Sequence, residues 1–275
     1  MRNVRFLIAY NGARFFGWQR QDGFETVQQE IEEAFEALVG SAVVVHGAGR
    51  TDTGVHARGQ VANAHVDTRL DDHRLVHALN AHLPEGVTIR RLETCSDDFH
   101  ARFSAQGKRY AYFISTEPVR SPFARELCHW TREPLDLVAM REAARVFTGR
   151  QDFSALASAG SPRHDNIRCL RPIRLIARRR MLGIVVQGDG FLYNMVRTIA
   201  GTLLDVGRGR FTPEQVARIL SERDRRGAGA TAPAAGLWLL RVLYEPACLA
   251  TPLVGPRGAA GVFQDHDPGA APEQP

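Results

Sequence analysis

Lysine is nearly absent from this sequence of 275 residues: Lys108 is the only one, and the other 34 of the 35 lysine and arginine residues are arginine. The planar guanidinium of arginine suits bidentate contacts to phosphate and stacking on bases, so nucleic acid is a candidate partner. The formal net charge of +5 has the sign that such a partner requires. A genome rich in G and C also favours arginine codons. The composition alone therefore does not decide whether the arginine excess reflects nucleic-acid binding or codon usage.

Cysteine and long apolar runs are also scarce. The longest uncharged stretch of note, 227–240, has 14 residues with Pro233 inside it, whereas a membrane-spanning helix needs about 20 apolar residues. The apolar run 6–10 is shorter than the apolar region of a signal peptide, which has about 7 to 15 residues. We therefore expect a cytoplasmic protein that does not contact a membrane. Neither a zinc site nor a dense disulfide framework is predicted, because no Cys-x-x-Cys pair occurs among Cys95, Cys128, Cys169 and Cys248.

The hydrophobic content of 44%, with 24% charged residues, is that of a folded globular protein. Strand and helix patterns alternate, which predicts an α+β fold with two related lobes, although no clear sequence repeat relates them. We place the N-terminal lobe at 1–105 and the C-terminal lobe at 106–245. The remainder, 246–275, is rich in proline, glycine and alanine and is predicted to be a disordered tail.

Apolar periodicity and turn residues locate the individual elements. The first helix is predicted to begin after Thr26 and to end at Gly40, and the last begins with the capping box TPEQ at 212–215. The other helices are predicted over 72–82, 136–147 and 193–206. Strands are predicted over 4–10, 42–46, 60–66, 87–92, 108–114, 173–178, 183–187 and 237–244.

No pattern for a nucleotide cofactor or a metal is present. The glycine-containing loop at 47–59 fails the dinucleotide fingerprint and the phosphate-loop pattern, because Asp52 and Val55 stand where glycine and lysine are required. His73 and His77 have the spacing of a metal pair on a helix, but the glutamate of the His-Glu-x-x-His motif is missing. We therefore expect no cofactor and no metal, and a surface helix around the two histidines.

Asp52 is the single carboxylate of this polar loop. Arg50, His56 and Arg58 surround it in sequence, and we expect these cations to keep it ionised and able to attack an electron-poor carbon. From the spacing alone, a glycine-rich turn that holds a structural ion pair is the simpler interpretation.

The same loop resembles the signature of TruA-type tRNA pseudouridine synthases. The similarity covers the run GRTDTGVHA at 49–57, followed by Gln60. Four further motifs occur in the family's order: FGWQRQ at 16–21, KRYAY at 108–112, GFLYNMVR at 190–197 and APAAGL at 232–237. Because five ordered motifs do not recur by chance, the chain is identified from its sequence as a member of this family.

The resemblance implies a fold, an activity and a set of site residues. The fold would have a continuous central sheet with the catalytic cleft between the lobes. The activity would be the isomerisation of uridine to pseudouridine at positions 38, 39 and 40 of the tRNA anticodon stem-loop, by a homodimer. Asp52 would be the catalytic aspartate, Arg197 its partner and Tyr110 a contact of the target uridine.

This reaction requires a carboxylate beside the glycosidic carbon, because uracil must leave C1′, rotate and rejoin through C5. Asp52 could add to the base, attack the sugar or remove a sugar proton, and the sequence leaves these three routes open. Arg197 lies in a mostly apolar helical pattern, where an unpaired charge is costly, so we expect it to have a buried anionic partner. The alternative is a surface arginine whose apolar stem packs against the helix.

Tyr110 and Tyr112 alternate along a predicted strand and therefore share one of its faces. We interpret Tyr112 as a core residue and predict that Tyr110 stacks on a uracil extruded from its helix. Arg50 is a candidate to fill the position that this base vacates.

Arginines are densest between residues 163 and 180. They are candidates for phosphate contacts, which position an RNA and make its affinity depend on salt; a solvated strand and turn is the alternative. A non-catalytic RNA-binding module would share such a surface, but it has no evident need for Asp52, Tyr110 and Arg197 together. The candidate RNA contacts are Arg58, Arg163, Arg168, Arg171, Arg174 and Arg178.

Overall fold

A computed structural model describes residues 1–157 and 165–244 of the chain. The described strands are β1 (Arg2–Tyr10), β2 (His46–Gly47), β3 (His56–Val66), β4 (Val87–Thr94), β5 (Gly107–Ser115), β6 (His129–Trp130), β7 (Gly149–Asp152), β8 (Ile167–Leu170), β9 (Arg174–Arg178), β10 (Met181–Gly188) and β11 (Leu237–Leu243). The α-helices are α1 (Val27–Val39), α2 (Asp72–His82), α3 (Leu137–Val146), α4 (Met195–Gly207) and α5 (Pro213–Glu222). Arg163 and the predicted tail lie outside the described residues.

All of these strands belong to one mixed sheet. Its main path runs β4-β1-β3-β11-β5-β10-β8-β7, while β2, β6 and β9 pair with β3, β5 and β10. The last strand, β11, joins the two halves because it pairs parallel to β3 and antiparallel to β5. The predicted α+β fold with a continuous central sheet is confirmed. The lobe boundary at residue 105 stays a prediction.

The helices begin and end within two residues of the predicted bounds. Thr26 caps α1 by accepting a hydrogen bond from the backbone N–H of Gln29, and Gly40 ends it in the left-handed conformation at φ 74°. Thr212 and Gln215 form the predicted capping box of α5. The second helix has the predicted bounds, Asp72–His82. In the described part of the chain, no helix combines the length and the apolar character needed to cross a membrane.

The strands around residues 42–60 differ from the prediction. The strand predicted over 42–46 shrinks to β2, which pairs with β3 only at His46 and Gly47. In contrast, β3 begins at His56 rather than at residue 60. The first residues of β3 pair with strands that are distant in the sequence: His56 lies opposite Trp238, and Ala57 lies opposite both Tyr10 and Leu239. The loop that carries Asp52 is therefore shortened to residues 48–55.

Candidate active site

A cleft of about 930 Å³ opens between loop 48–55, the middle of β5 and the segment that leads into α4. This volume lies in the range of small-molecule sites, about 300 to 1,000 Å³. Asp52, Tyr110 and Arg197 all line it. The cleft thus brings together three side chains that the sequence places in separate motifs.

The loop that carries Asp52 is clamped against the segment that follows β1. The backbone N–H of Trp18 donates to the Thr51 carbonyl oxygen at 3.0 Å, and the hydroxyls of Tyr10 and Thr51 are 2.8 Å apart. Gly17 has φ +86°, and a Cβ there would lie 2.6 Å from the Thr51 carbonyl oxygen. This close approach requires glycine at position 17. The motif at 16–21 therefore acts as a scaffold for the loop.

Arg197 reaches Asp52 from the first turn of α4. Its Nη1 is 3.4 Å from Oδ2 of Asp52, and the two side chains are 17% and 33% exposed. The guanidinium is also fixed from its own side of the cleft: Nε donates to the Ala232 carbonyl oxygen at 2.8 Å and Nη1 to Oδ1 of Asn194 at 2.9 Å. The expected anionic partner of Arg197 is thus Asp52, and two neutral acceptors orient the guanidinium.

Close backbone packing brings Ala232 to this position. A Cβ at Gly201 of α4 would lie 1.8 Å from the Ala230 carbonyl oxygen, so the 230–232 segment can cross the helix only at a glycine. The N–H of Ala232 also donates to the Arg197 carbonyl oxygen at 3.1 Å. Sequence reasoning missed the roles of Asn194 and Ala232, although both lie in motifs at 190–197 and 232–237 that signalled the site.

The cation that acts on Asp52 differs from the expectation. Partial burial raises the pKa of Asp52 above its usual range, and the charge and hydrogen bond of Arg197 oppose this shift without cancelling it. The arrangement leaves Asp52 less hydrated than a surface carboxylate, while Arg197 favours its ionised form. The cation that favours the ionised form of Asp52 is therefore Arg197, rather than the sequence neighbours Arg50, His56 and Arg58 that we expected to do so.

His56 explains part of this difference. It is fully buried, its Nδ1 accepts the Gly12 N–H at 3.1 Å, and its Nε2 lies 2.8 Å from the Glu126 carbonyl oxygen. Because Nδ1 is an acceptor, Nε2 carries the proton and the ring is neutral. Burial lowers the pKa of His56 below its usual value. The imidazole, which also stacks on Trp238 at 4.5 Å, therefore supports the fold and is not a cation beside Asp52.

The two tyrosines of β5 have different surroundings. Tyr110 forms part of the cleft wall with 8% of its surface exposed, and its ring meets that of Phe191 edge-on at 5.1 Å. Burial raises the pKa of Tyr110 above its usual value, so the phenol stays protonated at neutral pH. Tyr112 is fully buried and donates to the Pro233 carbonyl oxygen at 2.9 Å, which confirms its interpretation as a core residue.

Arg50, the candidate substrate contact, and the described candidate RNA contacts lie in three places. Arg50 is exposed and lines the cleft beside Asp52. Arg58 is exposed on β3, away from the cleft lining. The described arginines of the dense cluster lie on β8, on β9 and between them, and they do not line the cleft either: Arg168, Arg171, Arg174 and Arg178. Their contact with RNA stays a prediction.

The two helix histidines lie on the exposed side of α2 with their Nε2 atoms 3.3 Å apart. Within residues 1–157 and 165–244, no three or more histidine, cysteine, aspartate or glutamate side chains are grouped to hold a metal ion.

Known proteins are similar to this chain over most of its length. Residues 7–104 and 143–245 match a family model described as tRNA pseudouridine synthase. The chain is 42% identical over 244 residues to tRNA pseudouridine synthase A of Acetivibrio thermocellus, covering 89% of this chain and 100% of that protein. It is 42% identical over 254 residues to the protein of the same name from Geobacillus kaustophilus, with 92% and 98% covered. The protein of this name from Syntrophotalea carbinolica is also 42% identical, over 246 residues, with 90% and 98% covered.

Proposed function

The chain belongs to the tRNA pseudouridine synthase family, and from this premise we propose that it isomerises uridines 38, 39 and 40 in the anticodon stem-loop of tRNA with Asp52 as the catalytic residue. The observation that carries this proposal is the partly buried Asp52 carboxylate, which faces Arg197 at 3.4 Å in a cleft of about 930 Å³. A buried structural ion pair has no need of such a cleft, whereas a site that acts on a nucleoside does.

The chemistry conserves every atom except one exchanged proton. The C1′–N1 glycosidic bond breaks, a C1′–C5 bond forms, the proton on C5 is lost to solvent, and N1 gains a proton. Asp52 reacts as the ionised carboxylate in each of the three possible routes: addition to the base, attack on C1′ or removal of a sugar proton. Its incomplete hydration increases its reactivity toward the nucleoside, and Arg197 stabilises the charge.

The rest of the site would hold the target nucleotide. An enzyme that acts on a base must take the base out of its helical stack, at a cost of a few kcal/mol. Tyr110 offers a rigid ring in the cleft wall for the extruded uracil. Arg50, exposed at the edge of the same cleft, would fill the vacated position. No step of this proposal requires a cofactor or a metal ion.

The experiment uses unmodified tRNA transcripts that carry tritium at C5 of uridine. The wild-type chain should release tritium from a transcript with uridines at positions 38 to 40, and it should not release tritium when cytidines replace those three uridines. Asp52→Asn should abolish release and still bind the transcript. Asp67→Asn provides a matched control, since the Asp67 side chain is 87% exposed and does not line the cleft.

Two results would contradict the proposal. Tritium release by Asp52→Asn at the wild-type rate would remove Asp52 from the mechanism. Tight binding without any release by the wild-type chain would favour the second candidate function, a non-catalytic RNA-binding module that uses the arginine surface.

The proposal includes a homodimer as the working unit, which rests on the family resemblance, and the cytoplasmic location expected from the short apolar runs of the sequence. Two protomers would allow one subunit to hold an RNA that the other processes. Sedimentation equilibrium of the full chain should give twice the monomer mass of 30.5 kDa; a monomer mass would contradict this part of the proposal.

A further inference from the structure

An exposed aromatic ring lies at the mouth of the cleft. Phe103 lines the same cleft as Asp52 and is 76% exposed. Its ring centroid is 4.4 Å from that of His100, and the Arg102 guanidinium carbon lies over the ring at 5.5 Å from its centroid. His46 extends the cluster, with its ring 5.0 Å from that of His100. These four residues, His46, His100, Arg102 and Phe103, form what we call the mouth cluster.

The backbone beneath Phe103 is firmly held. The Ala101 N–H donates to Oδ1 of Asn63 at 2.8 Å, and the Tyr244 hydroxyl donates to the Ala101 carbonyl oxygen at 2.6 Å. The imidazole Nδ1 of His100 accepts the N–H groups of Arg102 at 3.1 Å and of Phe103 at 3.4 Å. Phe103 is therefore an apolar side chain presented to solvent on an ordered turn, so a ligand that binds it need not order the turn first.

The chemistry of the mouth cluster selects the ligand. An exposed aromatic ring can stack on the face of any nucleobase. The guanidinium beside it attracts the negatively charged RNA backbone and can also stack on a base. A nucleotide is therefore the ligand that fits both groups. The cluster is continuous with the cleft that, under the function proposed above, takes an extruded uridine. A nucleotide next to the target would meet Phe103 as the target enters.

We propose that the mouth cluster is a second nucleotide-binding subsite, in which an unpaired base of the tRNA substrate, close to the target uridine, stacks on Phe103 while Arg102 binds its backbone. This inference rests on the proposed function and adds a determinant of substrate affinity. Because the subsite acts on binding, its loss raises Kd and leaves the rate of the bound complex unchanged.

The test compares four single variants of the full chain. Phe103→Ala removes the ring, Phe103→Leu keeps an apolar side chain without a ring, and Phe103→Tyr keeps the ring. Phe123→Ala is the matched control, because Phe123 is 92% exposed and does not line the cleft. Kd is measured with the unmodified transcript, and the rate of pseudouridine formation is measured at saturating enzyme. A transcript with 5-iodouridine, placed in turn at each unpaired loop nucleotide near the target, is irradiated to crosslink any base that is stacked on an aromatic ring.

We expect Phe103→Ala and Phe103→Leu to raise Kd about tenfold or more, Phe103→Tyr and Phe123→Ala to bind like the wild type, and one iodinated base to crosslink to Phe103. Wild-type affinity in Phe103→Ala, equal affinity of the Leu and Tyr variants, or a crosslink that avoids Phe103 would overturn the subsite. Failure of the wild type to form pseudouridine would instead overturn the proposed function, so the two failures are distinguishable.

Discussion

Asp52 and Arg197, 145 residues apart in the sequence, form an ion pair in the cleft, with 3.4 Å between the carboxylate Oδ2 and the guanidinium Nη1. The relationship depends on two elements that are themselves distant in the chain. Loop 48–55 is held by residues that follow β1, and Arg197 is oriented by the carbonyl group of Ala232. The ion pair therefore reports whether both halves of the site are assembled.

Removal of the guanidinium should change the pH dependence of catalysis. Burial already raises the pKa of Asp52 and Arg197 opposes that shift, so Arg197→Gln should raise the pKa further. Since the ionised carboxylate is the reactive form, the acid limb of the rate profile should move to higher pH. The loss of charge stabilisation should also lower the rate at neutral pH by about 100-fold or more. Single-turnover tritium release measured across the acid-to-neutral range checks both effects.

Arg197→Lys keeps the charge and provides the control, with an acid limb closer to that of the wild type. A profile in Arg197→Gln that coincides with the wild-type profile would show that Arg197 does not influence the ionisation of Asp52.

A methyl group at Gly17 should displace the loop that carries Asp52. Its Cβ would lie 2.6 Å from the Thr51 carbonyl oxygen. Gly17→Ala should therefore lower turnover and destabilise the fold by about 1 to 3 kcal/mol through strain and displacement. Gly23→Ala is a matched control, because Gly23 has a similar φ of +79° with nothing within 4 Å of the added atom. Equal turnover and equal melting temperatures in the two variants would disprove the clamp.

Local signals were sufficient to predict the helices, and distant contacts explain where the prediction failed. Thr26 and Gly40 act within one turn of the helix that they bound, so the sequence contains all of the information. The start of β3 depends on Trp238, which lies opposite His56 although 182 residues separate them, and no local pattern reports that pairing.

The candidate site also contains residues that the sequence predicted and residues that it did not. Asp52, Tyr110 and Arg197 were predicted as site residues because their motifs resemble those of a known family, and all three line one cleft. Sequence proximity misled the interpretation of His56, which is four residues from Asp52 but is held by Gly12 and Glu126. Phe103 had no sequence signal, since an isolated phenylalanine in a polar segment is typical of many surface turns.

The buried imidazole of His56 should make the protein less stable in acid. Its folded-state pKa lies below the usual value of 6.5, so the unfolded chain binds this proton first as the pH falls. The stabilisation is therefore present above pH 6.5 and decreases below it. His56→Gln should lower the free energy of unfolding at pH 7.5 by about 1 to 3 kcal/mol, and by a smaller amount at pH 5.5. Urea unfolding at both pH values checks this sign, and an equal or larger difference at pH 5.5 would contradict it.

The arginines of β8 and β9, of which Arg168 is half-buried and Arg174 and Arg178 are exposed, should contribute to RNA affinity through phosphate contacts. Each phosphate contact that is lost reduces the slope of log affinity against log salt by about 0.7 to 0.9, so the triple variant of Arg168, Arg174 and Arg178 to glutamine should bind more weakly and with a flatter slope. Its turnover at saturating tRNA should be that of the wild type, because none of the three arginines lines the cleft. A control triple variant removes the same charge from exposed positions on α2, α3 and α5: Arg74, Arg141 and Arg218. Filter binding at several salt concentrations distinguishes the two triple variants. A general charge effect would lower the salt slope of both variants equally, whereas an RNA-contacting surface on β8 and β9 would lower only the slope of the Arg168, Arg174 and Arg178 variant.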